Sequence, residues 1–538
     1  MHDLRFSFTL TFRTIGLIAT IIAMTLCVPQ AYGQKKVKLK QADVARGGIK
    51  DGVRIDRFIG NVIFVQNNTT IYCDSAIFYK SKNSVEAFGR IRITEGDSVT
   101  VTSNALTYDG NSKTAYLRRN VVFTKLGIAT LHTDFLDYDR KKNEARYFNG
   151  GKLVDSTNTL TSKKGYYDIH TNMASFKKEV VGVNPDYTLH SDTLQYNSKT
   201  KVIYFRDLTT VKGVKDGENA VYQNGFYDTN KKLSTLTKGD IETISYKMSG
   251  VEYFIDDVKK FYKAKGNVAM THKEENTIVY GDDGDYDKLK GIAKVYGHAY
   301  VAKVDENNDT LFIAADTLVS VENEDPAKKA LLAYNHVRIF RNDMQGTADS
   351  LVYSSFDSTI YFYSGPVLWT SGNQMTADSI RILLKGRSID KIYLVANAFV
   401  ISEDTLKNYN QIKGRKMIAS FKGQTITHVN VQGNGESLYY ALQEPEKNPK
   451  AGAKPPEPTH TMGMNKIICS NMKINFVEGK VNNISFYIEP EASFIPPHEL
   501  KQEDKRLKGF KWRSEEKPER KDVVQRKELS PKKDELQK

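Results

Sequence analysis

The sequence predicts an all-β fold, an elongated β-jellyroll or twisted open barrel made of repeated antiparallel strand units of about 30 residues. Three observations support this prediction. A short phrase returns along the chain: an acidic or amide residue, a small residue, an apolar residue and, two places later, an aromatic residue. Apolar and polar residues alternate with a period of two. The 30 Tyr and 25 Phe, beside only 14 Pro, also favour strands.

The repeated phrase defines one apolar strand face. Its clearest copies begin at Asp74, Asn104, Asp134, Asp192, Asp316, Asp349 and Asp378. The residues two and four places after each start share a face, because side chains of a strand alternate between faces. Periodicity alone leaves two interpretations open, a filled β core and the lining of a hollow groove. The residues that best mark this face are Ala76, Phe78, Leu106, Tyr108, Leu136, Tyr138, Leu194, Tyr196, Leu351, Tyr353 and Ile380.

A second phrase occupies the other half of each unit. It places Gly or Asn before a valine, as in Gly60-Asn61-Val62 and Gly266-Asn267-Val268. Repeated glycines inside strands usually mark a bend or a bulge. A sheet that bends at the same point in every unit curls into a trough or closes into a jelly roll.

Residues 1–33 have the pattern of a secretory signal peptide. Arg5 and Arg13 precede or flank an apolar run at 15–28, which is short for a membrane span. Small residues at 31 and 33 then form a cleavage site before Gln34. Lipidation of Cys27 is the alternative, although Leu26 is a poor residue before a lipidated cysteine.

The remaining chain is divided by its repeats and composition. We predict N-terminal β repeats at 34–290, C-terminal β repeats at 291–440, a Pro-rich linker or loop at 441–466, a final β-hairpin at 467–495 and a charged, disordered basic tail at 496–538. Whether the repeats form one domain or two stays open. Cys73 and Cys469 fall in the first and last units, so we expect two unpaired thiols rather than a disulfide.

Charge and motifs narrow the function classes. The net charge is +14, and the signal region contributes +1 (Arg5, Arg13 and Asp3), which leaves +13 after cleavage. A basic exported surface favours anionic lipid or polysaccharide, and export makes nucleic acid a poor partner. The sequence shows no nucleophile elbow, phosphate loop or zinc signature, so we predict no enzyme, no catalytic residue and no cofactor. The Asp-rich segment 281–287 lacks the spacing of a calcium loop, so no metal is predicted.

The combined pattern resembles the OstA-like family, which includes the periplasmic lipopolysaccharide-transport bridge protein LptA. The resemblance is carried by Gly-Asn-Val at Gly60 and Gly266, by Ala-Asp-Ser-Leu-x-Tyr from Ala348 to Tyr353, and by their repetition over most of residues 50–420. It implies a jellyroll of bent antiparallel strands around an apolar groove, and head-to-tail stacking into a bridge between membranes. The chain departs from the family in its greater length and in its basic tail.

The resemblance turns the apolar face into a candidate lipid groove lined by the eleven residues named above. It implies a non-enzymatic periplasmic carrier that binds lipopolysaccharide acyl chains for transport to the outer membrane. The implied partners are lipopolysaccharide or a similar amphiphile, and other transport components by edge-strand pairing, with a homo-oligomer left open. The alternative is a β-solenoid scaffold or surface protein that binds polysaccharide or protein through its exterior. The two hypotheses differ in whether the interior is hollow.

Overall fold

The computed structural model describes residues 36–97, 99–214, 218–242, 246–273, 277–304, 309–370, 372–386, 388–423, 425–443, 458–477 and 480–525. Strands make up 74% of the described residues and helix 3%, which confirms the predicted all-β, jellyroll-like fold. The signal peptide and Cys27 lie outside the described residues. No helix in the described ranges has the length and apolar character needed to cross a membrane.

The chain forms two compact units that meet at residues 173 and 174. Unit 1 contains β1 (Lys38–Gln41), β2 (Val44–Lys50), β3 (Val53–Gln66), β4 (Thr69–Tyr79), β5 (Ser84–Glu95), β6 (Val99–Asp109), β7 (Thr114–Lys125), β8 (Ala129–Asp139), β9 (Glu144–Val154) and β10 (Thr159–Asp168). From β3 to β10, each strand pairs antiparallel with the strand that follows it.

Unit 2 is also antiparallel, but some of its strands are split in two. Its strands are β11 (Met173–Val183), which starts at the boundary, β12 (Tyr187–Asn197), β13 (Val202–Phe205), β14 (Thr209–Gly213), β15 (Asn219–Asp228), β16 (Leu233–Glu242), β17 (Tyr246–Asp256), β18 (Phe261–His272), β19 (Thr277–Asp287), β20 (Ile292–Val304), β21 (Thr310–Val321), β22 (Ala330–Arg341), β23 (Met344–Ser354), β24 (Thr359–Tyr363), β25 (Val367–Thr370), β26 (Asn373–Thr376), β27 (Ser379–Lys385), β28 (Ser388–Glu403), β29 (Tyr409–Lys422), β30 (Thr425–Gln443), β31 (His460–Val477), β32 (Lys480–Tyr487) and β33 (Glu491–Ile495). For example, β12 pairs with both β13 and β14. Short 3₁₀ turns lie at Pro326–Lys328, Gln502–Lys505 and Ser514–Glu516, and helix α1 is Arg520–Val523.

The second phrase marks a bend, as the sequence predicts. Between β5 and β6, Phe88 pairs with Ala105 and Ile91 pairs with Ser103, so two residues of β5 oppose one of β6. The two residues of β5 at this bulge, Gly89 and Arg90, have φ of 72° and 36°. Positive φ is most accessible to Gly and Asn, which explains why those residues recur at this point.

The bend folds a strand back onto itself. Phe58 and Phe64 both belong to β3, one on each side of the bend, and their ring centroids are 5.8 Å apart. Six residues of straight strand would span roughly 20 Å. We therefore call the part of the sheet that carries the repeated phrase the first wall, and the part beyond the bend the second wall.

The predicted segment boundaries can be placed on this fold. The division at 290 and 291 lies inside unit 2, where β19 and β20 pair along their length. Most of the Pro-rich linker, residues 444–457, lies outside the described residues. The final hairpin contains three strands, because β31 pairs with both β32 and β33.

The segment 496–525 differs from its sequence-based prediction. Composition predicts a disordered tail, whereas the structure places this segment against the outer face of the second wall of unit 2. Leu507 and Val523 are buried there, and Phe510 and Trp512 pack beside Leu507. These apolar side chains are few and their neighbours are charged, so the average composition of the segment resembles that of a disordered tail. Residues 526–538 lie outside the described residues.

Candidate functional site

Ten of the eleven predicted lining residues are buried, and Tyr353 is half-buried. The six predicted residues of unit 1 lie together on the inner side of its first wall, where Leu136, for example, is 0% exposed. In unit 2, Leu351 and Ile380 belong to one apolar cluster. Leu194 and Tyr196 are also fully buried in that unit. The repeated phrase thus identified interior positions.

The second wall supplies the other half of the interior, and the sequence reasoning did not assign it. Its inner residues in unit 1 are Val62, Phe64, Ile71, Ile91, Ile93, Val99, Val101, Val121, Phe123 and Leu131, all buried. A signal for them was present, since a valine follows the Gly-Asn pair in the second phrase. Because the bend shifts the alternation by one residue, a single period-two pattern does not extend across both walls.

The inner side chains of the two walls touch across the interior. The rings of Phe64 and Phe78 are 5.7 Å apart, and those of Phe123 and Tyr138 are 5.9 Å apart. In unit 2, Phe205 and Tyr222 are 4.9 Å apart. Such distances are typical of favourable edge or offset ring contacts. At these positions the interior is filled by side chains, so acyl chains could enter only if the walls separate.

The acidic residue of the repeated phrase lies opposite the bend and binds it. Asp134 accepts a hydrogen bond from the backbone N–H of Asn120 at 3.0 Å, and Asp74 accepts one from Arg90 Nε at 2.9 Å. In unit 2, Asp316 Oδ2 lies 2.8 Å from His336 Nδ1. The recurring Asp or Asn is therefore explained by the bend, which exposes backbone and side-chain donors that a short carboxylate or amide reaches.

The edge opposite the bend is closed by polar contacts, and we call it the seam. Three second-wall strands of unit 1 end at Gln66, Glu95 and Lys125, and each end residue reaches the first-wall side. Gln66 Nε2 donates to the carbonyl of Gly110 at 2.9 Å. Lys125 Nζ donates to the carbonyl of Ile169 at 2.9 Å. The three residues recur at the repeat spacing but differ in chemical type, so no sequence pattern marked them.

The centre of the seam is a buried charged network. Arg140 is paired with Glu95 at 3.2 Å and donates to the hydroxyl of Tyr108 at 3.0 Å. The Tyr138 hydroxyl donates to the other oxygen of Glu95. The Arg140 side chain is only 6% exposed. Burial, together with the Glu95 carboxylate, raises the pKa of Tyr138. The repeat's tyrosines thus place rings in the interior and hydroxyls at the seam.

The interior offers apolar surface from both walls, and the seam of unit 1 adds cationic and hydrogen-bonding groups, among them the buried Arg140. In the ranges described, no group of three or more His, Cys, Asp or Glu side chains is arranged to hold a metal ion. Cys73 and Cys469 are both free and buried, which confirms that they remain unpaired.

Comparisons with known proteins agree with the repeat pattern. Residues 34–192 match the model of the family described as OstA-like protein. A crystal structure from Pseudomonas aeruginosa is similar over 21% of this chain and 79% of its own, with 13% identity and a TM-score of 0.19. That protein is LptH, described as the LptA-homologous periplasmic component of the lipopolysaccharide transport device. No curated protein matches the chain. We conclude that residues 34–192 of this chain are similar to the OstA-like family, which is the resemblance that the repeated phrase predicted.

Proposed function

We propose that this protein is a non-enzymatic, exported carrier of lipopolysaccharide or a chemically similar amphiphile. Acyl chains would lie between the two walls, and phosphate groups would lie at the seam. The observation that carries the proposal is the repetition of one apolar interior, bounded at the seam of unit 1 by polar groups, in a chain with an OstA-like region. The OstA-like resemblance supplies the ligand class.

The energetics favour lipid entry despite the filled interior. Moving an acyl chain with roughly twelve CH₂ groups out of water is favourable by about 10 kcal/mol, at about 0.8 kcal/mol per group. Each ring contact across the interior contributes about 0.5–1.5 kcal/mol beyond the burial of its area. The wall side chains would exchange contacts with each other for contacts with lipid and would stay out of water. A few separated ring pairs therefore cost less than one inserted chain gains.

Lipid entry would also require the seam to open. Arg140 and Lys125 each bind an oxygen atom across the seam in the closed state. A lipid phosphate can replace those oxygen acceptors, because charge-assisted hydrogen bonds to phosphate are as strong as those to carboxylate. Arg140 would then exchange the Glu95 carboxylate for a phosphate, and Lys125 would exchange a neutral carbonyl for a phosphate, so that neither cation loses a partner. This exchange limits the cost of opening.

Export and partner choice complete the proposal. In this proposal the signal-peptide pattern of residues 1–33 directs export, and the mature chain works in the periplasm, associated with the outer membrane or bridging to it. In the described part of the chain, β1 and β2 pair with β3 alone, which leaves strand edges for pairing with another transport component or a second copy. Such head-to-tail pairing belongs to the proposal.

The proposal is tested by separating the two parts of the ligand. Purified mature protein would be titrated with three probes: lipopolysaccharide, lipid A without polysaccharide, and chemically deacylated lipopolysaccharide. We expect the first two to bind and the third to bind at least tenfold more weakly. Equal binding of the deacylated probe would contradict an acyl-chain site.

The filled interior also favours a second candidate, a scaffold that binds polysaccharide or protein through its exterior. The contacts Phe64–Phe78 and Phe123–Tyr138 are those of a closed core. This candidate predicts that the deacylated probe binds and that lipid A does not. The same titration therefore decides between the two functions.

A further inference from the structure

The outer face of the second wall in unit 2 carries one continuous row of side chains. Consecutive cross-strand partners connect nine positions from β20 to β30. In order they are Ala302, Phe312, Phe340, Gln345, Trp369, Gln374, Ile401, Gln411 and Leu438. Six of these nine residues are apolar, and the other three are glutamines. An exposed apolar stripe of this length usually marks an interaction surface.

The chain covers this row with its own C-terminal segment, residues 500–524, which we call the strap. Leu507 packs against a cluster that includes Ile401 and Leu438. Phe510 and Trp512 both contact the ring of Tyr409, each at 5.3 Å. Farther along the row, Val523 packs against Phe312 and Tyr300. The apolar contacts of the strap therefore follow the row from β30 back towards β20.

Two buried glutamines of the row bind the strap backbone in the same way. Gln411 Nε2 donates to the carbonyl of Lys505 at 2.8 Å, and its Oε1 accepts from the N–H of Leu507 at 2.8 Å. Gln374 Nε2 donates to the carbonyl of Lys511 at 2.7 Å, and its Oε1 accepts from the N–H of Arg513 at 2.6 Å. Each glutamine is 0% exposed and spans one strap residue. A glutamine amide used in this way binds the peptide backbone of the strap and does not depend on the side chains of the strap.

The strap's local sequence gives its anchors their spacing. A turn at 507–510 is closed by the N–H of Phe510 bonding the carbonyl of Leu507 at 3.0 Å. Its third residue, Gly509, has φ of 98°. A positive φ at the third residue is typical of a type II turn, and glycine adopts it without strain. The result is an apolar residue, two spacers, an aromatic residue, one spacer and a second aromatic residue. Strap docking adds no strand to the sheet, since the last strand ends at Ile495.

We propose that this outer face is a peptide-binding site whose occupant is the strap, and that the strap binds it reversibly. Three features support a reversible ligand. The strap is held by side-chain contacts and two backbone brackets instead of a strand ladder. Phe510 and Trp512 remain half-buried. The glutamine brackets recognise main-chain groups that any peptide of the right shape presents.

The test uses the full chain with a protease site in place of residues 496–499, which precede the strap. Cutting leaves the strap in place without a covalent link. A fluorescein-labelled peptide of residues 500–525 is then titrated into the cut chain and followed by fluorescence anisotropy. We expect saturable binding that unlabelled peptide competes away. The uncut chain should bind at least tenfold more weakly, because its own strap has an effective concentration in the millimolar range.

Two matched variants give the test its specificity. A peptide with Leu507→Ser and Trp512→Ser should bind at least tenfold more weakly, whereas the exposed control Lys508→Ser should bind like the parent. In the cut chain, Gln374→Met with Gln411→Met should weaken the parent peptide about tenfold, with circular dichroism confirming that the sheet remains. Absence of saturable binding, or equal binding of the double-serine peptide, would overturn the proposal.

Discussion

Two glycines with positive φ, Gly89 at a bend and Gly96 in the turn between β5 and β6, differ in what surrounds them. A Cβ at Gly89 would lie 2.5 Å from Asp74 Oδ2, whereas a Cβ at Gly96 would meet nothing within 4 Å. Both residues have positive φ, so an alanine at either position pays about 1–2 kcal/mol of backbone strain. Only at Gly89 must the acidic residue of the phrase also move, which breaks its contact with Arg90.

We therefore predict that Gly89→Ala lowers the free energy of unfolding by at least about 1 kcal/mol more than Gly96→Ala. Urea unfolding of the two variants measures the difference. Equal losses would show that Asp74 yields without cost and that the bend does not depend on this close approach.

The buried thiol of Cys73 is a second single-residue case. Burial, with a smaller effect from Asp74, raises the pKa of Cys73 to about 12. At pH 9 an ordinary thiol near 8.5 is mostly ionised, so Cys73 in the folded chain should alkylate slower by a factor on the order of 100 or more. The folded state binds this proton more tightly, so the associated stability is lost as pH rises above about 8.5. The measurement is the alkylation rate of Cys73 in the mature Cys469→Ala variant, with and without urea. Equally rapid labelling of the folded and unfolded chains would show that Cys73 is not buried.

At this scale, the sequence predicted the lining positions because side-chain alternation on a strand is strict. Leu106 and Tyr108 are interior for the reason given by their spacing. The second-wall residues were missed because the bend inserts an extra residue and reverses the alternation. Gln66, Glu95 and Arg140 were missed because their partners come from strands far away in the sequence.

Elements interact most specifically at the seam of unit 1. The Glu95–Arg140 pair joins the end of β5 to the turn after β8, and Arg140 is nearly inaccessible to water. Removing one partner of a buried ion pair leaves an uncompensated charge and costs about 3–5 kcal/mol, whereas replacing both with apolar groups costs much less.

We predict that Glu95→Leu and Arg140→Met are each strongly destabilising and that the double variant is more stable than the sum of the two losses implies. A double-mutant cycle on the free energy of unfolding measures the coupling. Additive losses would mean that the pair does not hold the seam. The surface pair Arg146–Glu144 serves as the control. Similar changes there should alter the free energy of unfolding by less than about 1 kcal/mol.

Strands and bends were predictable as elements, since alternation, turn residues and Gly-Asn pairs act locally. The strap was not predictable in the same way. Its anchors, such as Leu507 and Trp512, are separated by charged residues, so composition favours disorder. Its docking depends on a row of partner residues that come from nine different strands. A pattern of neighbouring residues in the sequence cannot predict such a row.

At the scale of the whole molecule, both units repeat one cross-section, with two apolar walls, a bend stabilised by an acidic residue, and inner rings in contact. Repetition is what a sliding lipid needs, because equivalent sites avoid one deep trap. The same repetition would equally build a solid core that admits no lipid. The distinction rests on whether the walls separate to admit acyl chains.

The most direct measurement of that distinction is site-specific photo-crosslinking in cells that make lipopolysaccharide. A photoreactive residue would replace Leu106, which is 2% exposed on the interior side, or its exposed neighbour Thr107. The same comparison in unit 2 would use Leu351 and the exposed Asp349. We predict lipopolysaccharide adducts at Leu106 and Leu351 and few or none at the two exposed positions. Adducts confined to the exposed positions, or absent from the interior in both units, would contradict a lipid path between the walls.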